Sequence, residues 1–515
     1  MPPAGKGKAV ETVVSPPSTP RRSKEHHASA SDISEPSSAF TTFVTYWIYL
    51  IAILLGMLRD GCARITGRSR FFVKPNPKFK GFPPILNPID SFYSRRLYFR
   101  YRDMWNRPLA GPPGAEFDVI LREEDPKTHR LVMTDKIRRC INLGSYNYLG
   151  ISGDTWKETC SEEVFRALKD LGPSSGGSAL SEGGTTAMHQ ELEKMVAQFV
   201  GKEDAVVYAQ GYGTNATTIP SLMGKGSLVV SDSLNHTSIV NGVRASGATV
   251  RVFRHNDAED LEQVLRQAIA EGQPKTFLPW KKILVMTEGI FSMEGEICRL
   301  PEVVSVCKKF KAYLYVDEAH SIGALGKTGR GVCEQTGVDP KDVDILMGTF
   351  TKSFGAMGGY IAGSKEVCDY LRTSSGGMVR SASMSPVVCA QIMASLRLIG
   401  ETEIGKQKLQ AIKDNANYVR EKLEAMGCEV LGDRDSPVLP LMLYIPTKIS
   451  MFSQMCFARN VAVVVVGFPA VPLNAARTRI CISAAHTKEQ LDRALKEIED
   501  VVDILKLRYK RSIFG

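Results

Sequence analysis

The stretch DILMGTFTKS, residues 344–353, decides the fold. It reads as the end of a short buried strand, a tight turn opened by Gly348 and Thr349, and Lys352 just beyond, with Gly355, Gly358 and Gly359 following. An apolar strand that ends in small polar residues is how an open α/β sheet presents groups to a ligand in the crevice at its carboxyl edge. A lysine in such a crevice loses its proton more easily than in water and can attack a carbonyl as a neutral amine. Alone it would carry little weight, because most lysines are simply solvated.

The weight comes from its neighbours along the chain. Short apolar runs at 205–208, 227–231, 249–254, 283–288, 313–317, 345–349 and 359–362 alternate with pieces such as 261–270 and 301–310, whose apolar residues recur at helical spacing. That rhythm predicts an α/β fold whose mostly parallel central sheet is covered on both faces, over residues 136–385. From 386 to 515 longer helices (406–426, 488–507) and a few strands (438–444, 461–466, 479–483) predict a smaller C-terminal α+β domain.

The strand YLYVD ends in Asp317, with Glu318 and His320 directly after it. The DEAH tetrapeptide and the following GKTG invite a nucleotide-hydrolysis reading. It fails because position 321 is Ser where a phosphate loop needs its first Gly, and because the GKT follows the DEAH instead of preceding it on an earlier strand. Asp317 and Lys352 are instead separated by one strand–helix–strand unit, so both can open into one crevice. A carboxylate that keeps a pyridine nitrogen protonated, and a lysine that holds an aldehyde at the other end of the ring, are the two protein groups pyridoxal 5'-phosphate needs most. QGYGTN, residues 210–215, follows another strand and opens a helix, so the N–H groups of Gly211 and Tyr212 can cradle a phosphate. SDSLNHTS places His236 after a further strand, where an imidazole can lie on the ring face.

The front of the chain is of another kind. Residues 1–38 are rich in Pro, Ser, Ala and charge and are expected to be disordered. Residues 39–58, AFTTFVTYWIYLIAILLGML, carry no charge and are about long enough to span a bilayer, or with Tyr46, Trp47 and Tyr49 to lie in its interface. A basic, proline-rich connector covers 59–135, and its cations put the large C-terminal body on the cytosolic side. The chain has 515 residues, 43% hydrophobic and 23% charged, with a formal charge of +10. Because the cations are spread along it, with a collar between Arg59 and Arg107, a membrane surface is expected and no nucleic acid. Eleven cysteines without CxxC pairs indicate a reducing compartment, and no metal is expected.

GTFTKSFG, YVDEAHSIGALGKTGRG, SDSLNHTSIVNG, WKKILVMTEGIFSMEGEICRLPE and VVVVGFPAVPLNAARTRICISAAHT together resemble the α-oxoamine synthase family of fold-type I pyridoxal-phosphate enzymes, from about residue 75 to the C-terminus. Within it they are most similar to the lysine-bearing subunits that use serine and a long-chain acyl-CoA. The resemblance implies serine C-palmitoyltransferase activity, the decarboxylating condensation of L-serine with palmitoyl-CoA to 3-oxosphinganine. It also implies a heterodimer with a lysine-less paralogue, small regulatory membrane subunits, and the endoplasmic reticulum membrane. Carried over by position, Lys352 would hold the cofactor and remove the Cα proton of serine, and Asp317 would pair with the ring nitrogen. His320 would neighbour the ring 3-hydroxyl, His236 would stack on the ring, and Gly211, Tyr212 and Thr349 would hold the phosphate. Arg479, or less readily Arg477, would bind the serine carboxylate, with Asn147 and Tyr148 also on the substrate side. Ala179 and Ala382 stand where relatives often carry an arginine and a threonine. A glycine- or alanine-using relative and a silent membrane scaffold are the alternatives to the serine reading.

Overall fold

The computed structural model describes residues 39–66, 102–126, 130–174 and 179–510, with positions 78, 81, 82 and 92 between them. The tail expected to be disordered, 1–38, and much of the expected connector lie outside the described residues.

The large sheet holds seven strands: β3 (Asp204–Tyr208), β4 (Leu228–Asp232), β5 (Thr249–Phe253), β6 (Ile283–Glu288), β7 (Tyr313–Asp317), β8 (Ile345–Thr349) and β9 (Gly359–Gly363). Their order is β3-β9-β8-β7-β6-β4-β5, and every neighbouring pair is parallel except the two that involve β9. Successive side chains of a strand point to opposite faces, and here both faces are apolar. Val206, Val229, Met286, Tyr315 and Met347 enter one buried cluster. Val207, Val230, Val285, Val316 and Leu346 enter the other. Helices supply the covering layers. In Ala258–Glu271, Asp257 caps the N-terminus by accepting from the Asp260 N–H (2.9 Å), and Leu261, Leu265 and Ala268 form the buried stripe. Losing one such leucine to alanine costs about 2–5 kcal/mol. Gly348 is required for packing: a Cβ there would come within 2.3 Å of the ring of Tyr360, its partner on β9.

The C-terminal body is built on β10 (Val438–Tyr444), β12 (Val464–Val466) and β13 (Ala476–Cys481), ordered β10-β13-β12 and antiparallel. Helices Glu403–Ala425, Pro446–Ala458 and Lys488–Leu505 contribute Leu423, Phe452, Ile498 and Val502 to its core. Two boundaries differ from expectation. The 135/136 division falls inside β2 (Leu131–Asn142), which forms a hairpin with β1 (Glu116–Glu124) and pairs with β11 (Val461–Ala462). The 385/386 division precedes helix Pro386–Glu401, yet its Cys389, Ile392 and Leu396 pack in the core of the large sheet.

Ahead of both bodies, helix Ala39–Thr66 carries one apolar stretch long enough to cross a membrane. Phe43, Trp47, Leu50, Leu54, Leu55 and Leu58 are exposed along it, and at 1.5 Å per residue its 28 residues extend about 42 Å.

Candidate active site

Parallel strands bring their carboxyl ends to one edge of the sheet, so the residues just after β3, β4, β6, β7 and β8 meet there. They enclose a cavity of about 170 Å³ lined by Gly211, Tyr212, His236, Asp317, His320, Thr349 and Lys352, all seven of the cofactor-side residues expected from sequence. Asn215, Ser238, Glu288, Ala319, Met347 and Thr351 complete the lining.

Asp317 ends β7 and is buried. Its carboxylate accepts from Asn215 Nδ2 (2.7 Å) and from the Ala319 N–H (2.9 Å). Asn215 also donates to Ser238 Oγ (2.9 Å) and accepts from the Tyr315 hydroxyl (2.6 Å). Ser238 in turn bonds His236 Nδ1 through its hydroxyl (2.7 Å) and its N–H (3.2 Å). Because that N–H can only donate, Nδ1 is the acceptor and the neutral ring carries its proton on Nε2. One hydrogen-bonded chain thus runs from the acid to the imidazole.

Lys352 lies in the turn after β8. Desolvation pulls its amine down to about 8, Arg479 adds to that pull, and Asp317 and Glu288 oppose it. Among the described residues neither Lys352 nor Asp317 forms an ion pair, with each other or with any third group. An acid and a weakly basic amine that share a cavity without touching leave room for a ring between them. Such a donor set fits pyridoxal 5'-phosphate, whose pyridinium nitrogen needs the acid and whose aldehyde needs the amine.

The end of the cavity at Gly211 and Thr349 is equally constrained. Gly211 opens helix Gly211–Leu222, whose first turn leaves its N–H groups without intrahelical acceptors. A side chain at 211 would collide with Thr349 Oγ1, 2.6 Å from the position of its Cβ. Thr349 donates to the Gly358 carbonyl (2.9 Å) and shares a hydrogen bond with the Thr351 hydroxyl (2.9 Å), so the two threonines form one polar shelf.

His320 is buried, with Nδ1 2.7 Å from the Tyr148 hydroxyl and its ring edge-on to Tyr146. Desolvation, together with Lys352 and Arg479, holds its pKa well below the ordinary value and keeps it neutral. Glu288 ends β6 opposite Asp317. Burial first, then the Asp317 charge, push its carboxyl well above the usual range, and it accepts the His236 N–H at 2.5 Å.

The two arginines of β13 have different fates. Arg477 is fully buried and paired with Glu294 (3.2 Å), and it also donates to the Met293 and Ala475 carbonyls. Arg479 is buried without an ion pair among the described residues, its Nε has no hydrogen-bond partner, and its guanidinium lies 4.5 Å from the centre of the Tyr146 ring. Lys352 Nζ stands 5.5 Å from the same ring. A buried guanidinium with spare donors is a receptor for a carboxylate.

Asn147 and Tyr148 occupy other positions than expected for substrate-side groups. The Asn147 amide is consumed by the Pro113 and Ser152 carbonyls (3.0 and 2.6 Å) and the Ser152 N–H, which makes it a structural clamp. Tyr148 is wholly buried and acts through His320. Five lining or neighbouring residues were not singled out from the sequence: Tyr146, Asn215, Ser238 and Thr351 each lie within four positions of one that was, whereas Glu288 lies on a different strand, opposite Asp317. Asn215 is one helical turn beyond Gly211, a spacing that could have revealed it.

Residues 138–498 match the model of the aminotransferase class I and II family. Long chain base biosynthesis protein 2d of Oryza sativa subsp. japonica is 51% identical over 472 residues, covering 91% of this chain and 95% of that protein. Serine palmitoyltransferase 2 of Dictyostelium discoideum is 47% identical, with 91% and 94% covered. Serine palmitoyltransferase from Sphingomonas wittichii superposes with a TM-score of 0.71 at 28% identity, over 84% of this chain and 99% of that one. A high-resolution structure of SPT with its PLP internal aldimine gives 0.67 at 31% identity, over 75% and 93%. With a fold-type I sheet and these relatives over nine-tenths of its length, the chain belongs to the serine palmitoyltransferase family of pyridoxal-phosphate-dependent α-oxoamine synthases.

Proposed function

We propose that this chain is the catalytic subunit of a serine C-palmitoyltransferase, which joins L-serine to palmitoyl-CoA and releases CoA, CO2 and 3-oxosphinganine. The observation that carries the proposal is Asp317 and Lys352 in one cavity and Arg479 beside Tyr146, none of the three in an ion pair among the described residues. When bound, pyridoxal 5'-phosphate supplies the electron sink that makes the Cα–H bond of serine acidic and later accepts the electrons of decarboxylation.

The protein's share is positioning and proton transfer. Asp317, oriented by Asn215, holds the proton on the ring nitrogen. Lys352 would hold the cofactor through its aldehyde carbon, and its amine, brought down to about 8 by burial, is the base placed to take the Cα proton of serine. His320, kept neutral, hydrogen-bonds the ring 3-oxygen, and Tyr148 positions it. His236 stacks on the ring face, held by Ser238 and Glu288. The free N–H groups at Gly211 and Tyr212, with the Thr349–Thr351 shelf, bind the phosphate. Arg479 binds the serine carboxylate and fixes which bond at Cα is broken.

We further infer a heterodimer with a lysine-less paralogue, small regulatory membrane subunits, and residence in the endoplasmic reticulum membrane with the body in the cytosol. The helix Ala39–Thr66 and the cations that follow it support membrane anchoring. A long acyl chain costs about 0.8 kcal/mol per CH2 to hold in water, which favours placing its synthesis at a bilayer. The test is to purify the chain with its partner, titrate serine, glycine and alanine while following visible absorbance, and identify the product formed from palmitoyl-CoA. Formation of 3-oxosphinganine from serine alone supports the proposal, and turnover with glycine but not serine overturns it.

A further inference from the structure

At the amino-terminal edge of the large sheet, opposite the active site, the segment GQPKTFLPWKK (272–282) joins helix Ala258–Glu271 to β6. It is a firmly held turn. The Gln273 N–H donates to the Leu278 carbonyl (2.8 Å) and the Phe277 N–H to the Gln273 carbonyl (2.8 Å). Gln273 Nε2 reaches the Pro279 carbonyl (2.6 Å), and Trp280 Nε1 pins the far end to the Ala268 carbonyl (2.7 Å). Two non-glycine residues in it, Lys275 (φ 71°) and Phe277 (φ 57°), adopt left-handed backbone, a conformation that strains any residue bearing a Cβ.

What this strained turn achieves is the display of two large apolar side chains: Phe277 is 79% exposed and Leu278 58%. The segment holds three lysines and no carboxylate. Lys275 and Lys281 make no ion pair among the described residues, and the adjoining cavity, about 1310 Å³, is edged by five lysines, Lys281 and Lys282 among them, against the three carboxylates of Glu203, Asp344 and Glu366. An apolar tip flanked in sequence by Lys275 and Lys281, neither in an ion pair among the described residues, matches a bilayer of anionic lipids, whose acyl boundary takes the tip while its headgroups take the lysines.

We propose that Phe277 and Leu278 insert into an anionic membrane surface, with Lys275, Lys281 and Lys282 on the lipid headgroups, as a contact additional to the N-terminal helix. This rests on the membrane anchoring supported by that helix. A basic edge facing water would attract any anion, but a lipid surface rewards the exposed phenylalanine and leucine as well.

The test uses the full chain, assembled with its partner and reconstituted in nanodiscs, carrying an environment-sensitive NBD probe at Phe277→Cys in a Cys62→Ser background. Cys62 is the one exposed cysteine among the described residues. Co-elution with the nanodisc reports the anchor by itself. With phosphatidylserine present, the probe's emission should shift to the blue and be quenched by spin-labelled lipid. With phosphatidylcholine alone it should not. In the same probe-bearing protein, each of Lys275→Gln and Lys281→Gln should lower the docked-to-undocked ratio roughly fivefold. A protein that co-elutes while its probe keeps water-like emission in both lipids overturns the inference, and so does equal burial in both, because the lysines then contribute nothing. A blue shift in the nanodisc that spin-labelled lipid fails to quench would assign the tip to a protein partner and overturn it as well.

Discussion

Replacing Arg479 by alanine tests the substrate side of the site most sharply. Its guanidinium is buried, unpaired among the described residues, and stacked over Tyr146 at 4.5 Å. Two charge-assisted hydrogen bonds to a serine carboxylate, at about 1.5–3 kcal/mol each and partly offset by desolvation, amount to roughly 3–4 kcal/mol. That is a loss of about two to three orders of magnitude in kcat/KM for serine, borne mainly by KM. KM for palmitoyl-CoA, which presents no carboxylate there, should change only a few-fold. Because Arg479 leaves no carboxylate behind it, the folded protein should keep its stability. Arg477→Ala is the built-in contrast: it strips the partner from buried Glu294 and should cost about 3–5 kcal/mol of stability. Initial rates over a serine and acyl-CoA grid, with denaturant melts of both variants, decide the matter. Equal effects of Arg479→Ala on the two KM values, or a stability loss as large as that of Arg477→Ala, would refute the assignment.

Three further outcomes are expected. The Lys352 amine titrates near 8 in the fold against about 10.5 in the unfolded chain, so the cofactor-free protein binds fewer protons than the unfolded chain between those values, and this group's contribution to stability rises with pH across that window. Cofactor capture by the stripped protein should accordingly accelerate about tenfold per pH unit below 8 and level off above it, measured by the growth of visible absorbance. Tyr148→Phe removes the hydroxyl on His320 Nδ1, and at about 1–3 kcal/mol it should lower kcat roughly ten- to a hundredfold while leaving KM for serine nearly unchanged. Gly348→Ala drives a methyl into the Tyr360 ring and should destabilise the fold by about 1–3 kcal/mol or more, seen as a lower melting midpoint without any change in cofactor spectrum.

Much of the site was legible because its groups are tied to strand ends. The runs 283–288, 313–317 and 345–349 are short, apolar and closed by Glu288, Asp317 and Thr349, so their boundaries coincide with those of β6, β7 and β8. The reversal of β9 was also implicit, since only nine residues separate Thr349 from Gly359 and a parallel crossover needs a dozen or more. Less legible were groups whose partners are far away in sequence. Nothing local to Asn147 shows that the Pro113 carbonyl occupies its amide, and nothing local to Arg477 distinguishes it from Arg479 until Glu294 arrives from the other body. The hairpin β1–β2 was hidden for a related reason: its stabilising neighbour, β11, lies more than 300 residues downstream.

The account stands on Asp317 and Lys352 gripping the two ends of one cofactor. The most direct measurement is absorbance and product analysis of Lys352→Ala and Asp317→Asn, each copurified with its partner and supplied with pyridoxal 5'-phosphate, serine and palmitoyl-CoA. The account predicts that Lys352→Ala lacks the visible band of a lysine-bound cofactor and makes no 3-oxosphinganine. Asp317→Asn should retain the band, at an altered position, and lose most turnover. A Lys352→Ala protein that keeps the wild-type spectrum and rate would contradict it.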